Sequence, residues 1–347
     1  MRATFNPPLY HPEVGWSAVL AYEHALRQFA ATPPDNLSHS AFAGLSAVDT
    51  ATLPTKRFYL GSDGSQLGFR CYDADAKTRV VLIHGAGCFG DQLHQIAYAV
   101  SKTGRAKAYT LNVRGHGLSD GQRGHAVSNA RQIVADVSQF LTWLKAESPN
   151  DPIILVGHSA GGGVILGASR TSACKLVSGY IFLAPYLGLG SATVRPGFGG
   201  WVTVRSWRFR AIVLLNLFGI KRFNDNTVVE FNMDACLHDP RFVRSWSFNT
   251  TLAFGPGPWV ASAAIPAEKP VLVLAGDADQ CFVTHLYRSA FNVIAPHAII
   301  HNVGAAGHWD LLVDPGTIAA VETWIDEKFA DPSKGSRLKE IRNDAVA

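Results

Sequence analysis

From about residue 79 onward, apolar residues fall in short unbroken runs instead of alternating with polar ones. Residues 79–83 read Arg-Val-Val-Leu-Ile, 108–113 Ala-Tyr-Thr-Leu-Asn-Val, 153–156 Ile-Ile-Leu-Val, 180–183 Tyr-Ile-Phe-Leu and 271–274 Val-Leu-Val-Leu, and 297–303 closes the series. A run without alternation marks a strand covered on both faces, as in a parallel sheet. Helical segments separate the runs. The clearest covers 127–145, where Ile133, Val137, Phe140, Leu141 and Leu144 share one stripe. Two earlier segments, 57–61 and 67–72, flank Asp63-Gly64 and predict a hairpin. Repeated strand, helix, strand predicts an α/β protein with a mostly parallel, doubly wound sheet. In such a sheet the working residues lie just past the C-terminal ends of the strands.

One stretch breaks the rhythm. Residues 188–266 lie between two strands and hold Trp201, Trp207, Trp246 and Trp259, four of the eight tryptophans. A connection of this length is not a loop, and the expectation is an inserted, mainly helical cap over the strand ends. The division that follows is an N-terminal helical extension and linker over 1–52, a core built from 53–187 and 267–332, the cap at 188–266 and a charged tail at 333–347. Within the first of these, 12–30 reads as a helix and 32–40 as linker.

Composition narrows the function classes. The 347 residues are 47% hydrophobic and 17% charged, ample for a large core. A net charge of +4 is too mild to argue for nucleic acid. Five cysteines, with no CxxC pair, fit free thiols in a reducing compartment better than a disulfide framework or a zinc site. No apolar run approaches the roughly 20 residues of a membrane span. The expected location is the cytoplasm, with room for peripheral contact at a membrane.

Two GxSxG matches occur, at Gly157-His158-Ser159-Ala160-Gly161 and at Gly117-Leu118-Ser119-Asp120-Gly121. Context separates them. A nucleophile elbow needs a buried strand before it and a helix after it. Ser159 follows Ile-Ile-Leu-Val and precedes small residues, whereas Ser119 sits in a glycine loop. Ser159 is therefore the candidate nucleophile. A serine hydroxyl needs a base, and the base an orienting acid. His308, in Gly307-His308-Trp309 after the final strand, is the candidate base. After the strand 271–274 stand two candidate acids, Asp277 and Asp279, and spacing does not separate them. An oxyanion hole needs two backbone amides. Ala160, opening the helix after the nucleophile, supplies one. Ala86, in His84-Gly85-Ala86-Gly87, supplies the other. Gly85, Gly87, Cys88 and His158 flank these amides and are expected near the substrate. His84, Arg114 and His116 are expected to be structural, and Cys88 to fill a small gap.

Taken together, His84-Gly85-Ala86-Gly87, Arg114-Gly115-His116-Gly117-Leu118-Ser119, Gly157-His158-Ser159-Ala160-Gly161-Gly162 and Gly276-Asp277-Ala278-Asp279 resemble the monoacylglycerol lipase and lysophospholipase branch of the α/β-hydrolases. The resemblance runs from about residue 56 to 330, the cap excepted. It implies the α/β-hydrolase fold and makes Asp279 the acid. It also places the oxyanion donors on Ala86 and Ala160. The chain departs from the family's usual pattern at Cys88 and Asn112.

The expected activity is hydrolysis of a carboxylic ester with an apolar acyl chain, such as a monoacylglycerol or lysophospholipid, through an acyl-enzyme on Ser159. No metal or cofactor is required. Amide, C–C bond or peroxide chemistry on the same triad is the alternative, and a non-catalytic binding protein on this fold is a third reading. The expected partner is a small ester or lipid. Arg195, Arg205, Arg208, Arg210, Lys221 and Arg222 cluster in the cap without an acidic neighbour, interleaved with Trp201, Trp207, Phe209 and Phe218. That mixture suits a membrane or lipid-aggregate surface.

Overall fold

The computed structural model describes residues 50–329, apart from 189, 234–238 and 257–263. The helix and linker expected over 12–40, the tail at 333–347, Cys236 and Trp259 lie outside the described residues.

The hairpin comes first. Strands β1 (Lys56–Leu60) and β2 (Gln66–Tyr72) pair antiparallel around a tight turn. The buried runs then form β3 (Arg79–Ile83), β4 (Lys107–Leu111), β5 (Ile153–His158), β6 (Gly179–Leu183), β10 (Val271–Gly276) and β11 (Ile299–Val303). They build an eight-stranded sheet in the order β1-β2-β4-β3-β5-β6-β10-β11, parallel from β4 onward. Every residue of β5, β6 and β10 is buried. The last run differs from the expectation of two covered faces: β11 is an edge strand, and only Val303 of it is buried.

Helices α1 (His94–Lys102), α2 (Gln132–Glu147), α3 (Ala160–Ala168), α6 (Tyr287–Ile294) and α7 (Pro315–Phe329) cover the sheet. Helices α2 and α3 pack together, and α1 packs against α7. All five stripe residues of α2 are buried. Helix α2 starts at Gln132 and not at 127, because side chains there bond the backbone in a competing turn. Ser128 N donates to Gln132 Oε1, and Arg131 N to Asn129 Oδ1.

Among its described residues the insertion carries two α-helices, α4 (Ser206–Leu217) and α5 (Phe248–Phe254). It also carries a three-stranded antiparallel sheet that the sequence reading does not foresee, made of β7 (Val202–Val204), β8 (Thr227–Phe231) and β9 (Ser245–Ser247). Strands of three to five residues are too short to show a period, so only the β-branched run of β8 signals them. Among the described residues, no helix is long and apolar enough to cross a membrane. Cys71, Cys88, Cys174 and Cys281 are free thiols.

Candidate active site

Strands β3 and β5 are neighbours, yet the chain leaves them for opposite parts of the sheet: β3 leads to β4 on one side, and β5 to β6 on the other. A crevice opens at such a switch point, outside the strand ends. The loop after β3 carries Ala86, and the turn after β5 carries Ser159. The close approach of these two segments is built from glycine. A Cβ at Gly161 would lie 2.3 Å from Ile83 O, and one at Gly85 would lie 3.0 Å from Ser159 Cβ.

Ser159 has φ 52° and ψ −118°, a conformation that L-residues rarely adopt. It is held there from both directions. Ser159 N donates to Leu183 O at 2.9 Å, and Ser159 O accepts from Gly162 N and Tyr186 N at 2.9 and 2.8 Å. Strain of about 1–3 kcal/mol persists only where the surroundings enforce it. Here the effect is to stand the hydroxyl at the floor of a cavity, against the N-terminus of α3. Neither Ala160 N nor Ala86 N donates a hydrogen bond to any described group, so both amides are available to an acceptor from outside.

Asp279 and His308 are brought together from the loops after β10 and β11. His308 Nδ1 lies 2.9 Å from Asp279 Oδ2, and both residues are 2% exposed. The other carboxylate oxygen, Oδ1, accepts from Cys281 N and Phe282 N at 2.7 and 2.8 Å. Asp277, by contrast, is exposed and accepts from Asn302 Nδ2 on β11. His308 is fixed at its backbone as well: its N donates to Gln280 Oε1, and its O accepts from His158 Nε2 at 3.1 Å. The rings of His158 and His308 lie 4.7 Å apart. Ser159 and His308 are not hydrogen-bonded to each other in this conformation, a link that commonly tightens only with substrate in place.

Around these groups three buried histidines are held neutral. Burial pushes His84 down to about 4, and His116 and His158 well below the ordinary histidine range. His84 Nε2 accepts from Val113 N, and His116 Nε2 accepts from Trp246 Nε1 on β9. Arg114 binds Asp63 and the buried Asp136. Ser119 donates to Asn112 O at 2.6 Å and accepts from Gly68 N at 2.9 Å, so its hydroxyl is spent on the backbone.

The cavity above Ser159 measures about 510 Å³, counting the part open to solvent, and the insertion supplies most of its wall. Trp201, Val229, Phe231 and Trp246 come from the insertion, and Phe282, which also lines the cavity, has its ring 5.2 Å from that of His308. Trp201 stacks on Phe231 at 5.6 Å, and Phe231 meets Trp246 edge-on at 4.9 Å. No described lining residue carries a charge. Of the residues expected near the substrate, Ala86, Ser159 and Ala160 line the cavity, but Gly85, Gly87, Cys88 and His158 do not. Cys88 is buried beside Trp309, with its thiol pushed up to about 12. The sequence reading missed the individual wall residues. Their signal was the aromatic density of the insertion, which gives no positions.

Asp279, Cys281 and His308 offer ligand atoms within 4.8 Å of one another. Both Asp279 oxygens are already engaged, and burial pushes the Cys281 thiol far above its ordinary range. A cation there would have to break the carboxylate–imidazole pair.

A family model described as serine aminopeptidase, S33, matches residues 74–298. The chain belongs to that family. It is a hydrolase by family, with the α/β-hydrolase fold, in the branch that resembles monoglyceride lipases. It is 28% identical over 130 residues to the monoglyceride lipase of Mus musculus, covering 36% of this chain and 41% of that enzyme. It is 33% identical over 93 residues to the monoacylglycerol lipase of Mycolicibacterium smegmatis, covering 27% and 32%. The match thus spans less than half of either lipase. An uncharacterised protein of Schizosaccharomyces pombe is 28% identical over 195 residues, 55% of this chain and 76% of its own. Among solved structures, a soluble variant of the monoglyceride lipase of Saccharomyces cerevisiae, in complex with a substrate analogue, superposes with a TM-score of 0.61. It is 18% identical and covers 81% of this chain and 96% of that one. At that identity the likeness speaks for the fold.

Proposed function

We propose that this protein is a serine esterase acting on uncharged esters with an apolar acyl chain, of the monoacylglycerol kind. The observation that carries the reading is the Asp279–His308 pair at 2.9 Å together with a serine held at φ 52° in the lining of an apolar cavity. Ser159 Oγ attacks the ester carbonyl while His308 takes its proton. Asp279, accepting from His308 Nδ1, fixes the tautomer that leaves the other ring nitrogen basic and stabilises the imidazolium. The negative charge forming on the carbonyl oxygen falls to Ala86 N–H and Ala160 N–H. Collapse expels the alcohol, which takes the proton from His308. Water then enters, gives a proton to His308 and bonds through its oxygen to the acyl carbon; the acyl–Oγ bond breaks, the acid leaves, and Ser159 Oγ takes the proton back from His308.

The wall of the cavity narrows the substrate. A lysophospholipid headgroup, or the ammonium of a peptide N-terminus, would lose hydration against this wall without gaining a partner, which costs several kcal/mol. Among the described lining residues no carboxylate or cation meets either. A neutral glyceride suits it better than the aminopeptidase substrate of the family's description. The test is a fluorophosphonate probe followed by a panel of esters of graded chain length. Labelling lost in Ser159→Ala, with turnover rising with acyl length, supports the proposal. Absence of labelling in the folded wild-type protein overturns it.

We also propose that the substrate is met at an anionic lipid surface. Trp207, Ala211, Leu214 and Phe218 recur at helical spacing on the solvent side of α4, while Phe209 and Ile212 face inward and are buried. Lys221 and Arg222 are exposed beyond the helix end, and Arg208 lies over Trp207. Apolar face and flanking cations together suit the headgroup boundary.

A further inference from the structure

The loop that carries Ala86 is gripped by three successive residues of the insertion. Arg241 Nη1 reaches Asp91 Oδ2 at 2.6 Å, and its guanidinium lies over the ring of Phe89 at 4.4 Å. Phe242 meets Phe89 edge-on at 5.1 Å. Val243 N donates to Gly87 O at 2.9 Å. Asp91 is 1% exposed, and Arg70 on β2 also grips it, through Nε at 2.6 Å and Nη2 at 3.0 Å. One buried carboxylate thus joins the core sheet to the insertion directly behind the Ala86 loop. Asp239 holds Arg241 in place from outside, with Arg241 Nη2 at 2.6 Å and Nε at 3.0 Å from its oxygens.

The loop itself is a tight turn. Cys88 N donates to Gly85 O at 3.3 Å, and Gly87 has φ 68°, which the third position of a type II turn requires. Such a turn can tilt as a whole, and with it the Gly85–Ala86 peptide that carries the Ala86 N–H, unless something outside holds it. A Cβ at Gly87 would lie 2.5 Å from Met233 Cε and 3.0 Å from Val243 O, so the insertion lies flush on the turn.

We infer that Arg241 is a positioning residue for the oxyanion hole: by tying the insertion to Asp91 and Phe89, it holds Val243 on Gly87 and so fixes the direction of Ala86 N–H. The inference rests on the reading of Ala86 as an oxyanion donor. Arg241 touches neither Ser159 nor the cavity, and its effect runs through the turn. Loss of Arg241 leaves Asp91 paired with Arg70, so no unpartnered buried charge results and the fold should survive.

The experiment compares wild type with Arg241→Met and Arg241→Lys, using a soluble p-nitrophenyl ester and a trifluoromethyl ketone of matching chain length. The ketone adds to the serine and places a negative oxygen in the hole. A fatty alcohol of the same length, which fills the cavity without forming an oxyanion, is the control ligand. Deleting an oxyanion donor outright costs about a hundredfold or more, so a donor that is merely loosened should cost about tenfold. Arg241→Met is expected to lower kcat and ketone affinity together by about tenfold, with KM and alcohol affinity within about twofold. Arg241→Lys, which keeps a charge at Asp91, should recover most of both. Unchanged kcat and ketone affinity in Arg241→Met, or a change confined to KM, overturns the inference. If Arg241→Met does not fold, Asp239→Asn decides. Released from its outer brace, Arg241 should give a smaller parallel loss, and none overturns the inference. A wild-type protein that fails to bind the ketone refutes the esterase reading itself, a separate outcome.

Discussion

At the scale of single residues, the two GxSxG serines differ in what their hydroxyls are already doing. Ser119 donates to Asn112 O and accepts from Gly68 N. Among the described residues the Ser159 hydroxyl makes no such bonds, and it is presented to the cavity by a backbone conformation held from both sides. Ser159→Ala should remove ester turnover by at least about a thousandfold, since the covalent intermediate needs that oxygen. Ser119→Ala should keep its turnover and lose about 1–3 kcal/mol of stability, because two buried backbone groups lose their partner. Steady-state kinetics and urea unfolding on both variants check this, and exchanged results would move the elbow to Ser119. The same contrast holds for the acids. Asp279→Asn keeps the shape but can present an N–H to His308, so kcat should fall by orders of magnitude, about 10⁴ at the extreme, with the fold intact. Asp277→Asn, exposed and bonded to Asn302, should be mild. Near-normal turnover in Asp279→Asn would remove the proposed acid.

At the scale of elements, legibility follows burial and length. The central strands could be read because both faces are covered, which leaves an unbroken apolar run. The same reading overstated β11, an edge strand. The elbow could be read because its glycines answer steric demands that no other residue meets. The insertion's small sheet could not, since its strands have three to five residues. The tie from Arg241 to Asp91 spans 150 positions, and no local pattern announces it. Helix α4 is an intermediate case. Its mixture of basic and aromatic residues was visible, but which aromatics face outward depends on what the helix packs against. Phe209 is fully buried, whereas Trp207 and Phe218 are 68% and 75% exposed. A triple change, Trp207→Ser, Leu214→Ser and Phe218→Ser, should therefore abolish co-sedimentation with vesicles containing phosphatidylserine. Turnover of a soluble ester should stay unchanged. Lys221→Glu with Arg222→Glu should weaken binding to anionic vesicles only, by about 1 kcal/mol or more per charge. Binding that ignores lipid charge, or survives the triple change, would rule out this face as the docking surface.

For the whole molecule, the joints around the site are made by neutral histidines. His84 links the Ala86 loop to Val113, His116 links the loop after β4 to Trp246 of the insertion, and His158 links the elbow to the backbone of His308. Two of these bonds use a ring nitrogen as acceptor, which a protonated imidazole cannot offer. The sign follows from that. Burial depresses the folded-state values, to about 4 for His84 and well below the ordinary range for His116 and His158. The unfolded chain keeps values near 6.5 and so binds more protons at mildly acid pH. Stability is fully present above about pH 6.5 and falls as the pH drops toward the folded values. Each histidine contributes up to about 1.4 kcal/mol per pH unit across that window. The interval from about pH 6.5 to 5 lies above the ordinary range of free carboxyl groups, about 4, and spans that of free histidine. Urea unfolding should show a loss of several kcal/mol over that interval. His116→Gln keeps an acceptor for Trp246 while removing a titrating ring, and its stability should fall less steeply with pH than the wild type. A flat wild-type profile, or a variant with the same slope, would show that these rings are not the groups that couple proton uptake to unfolding.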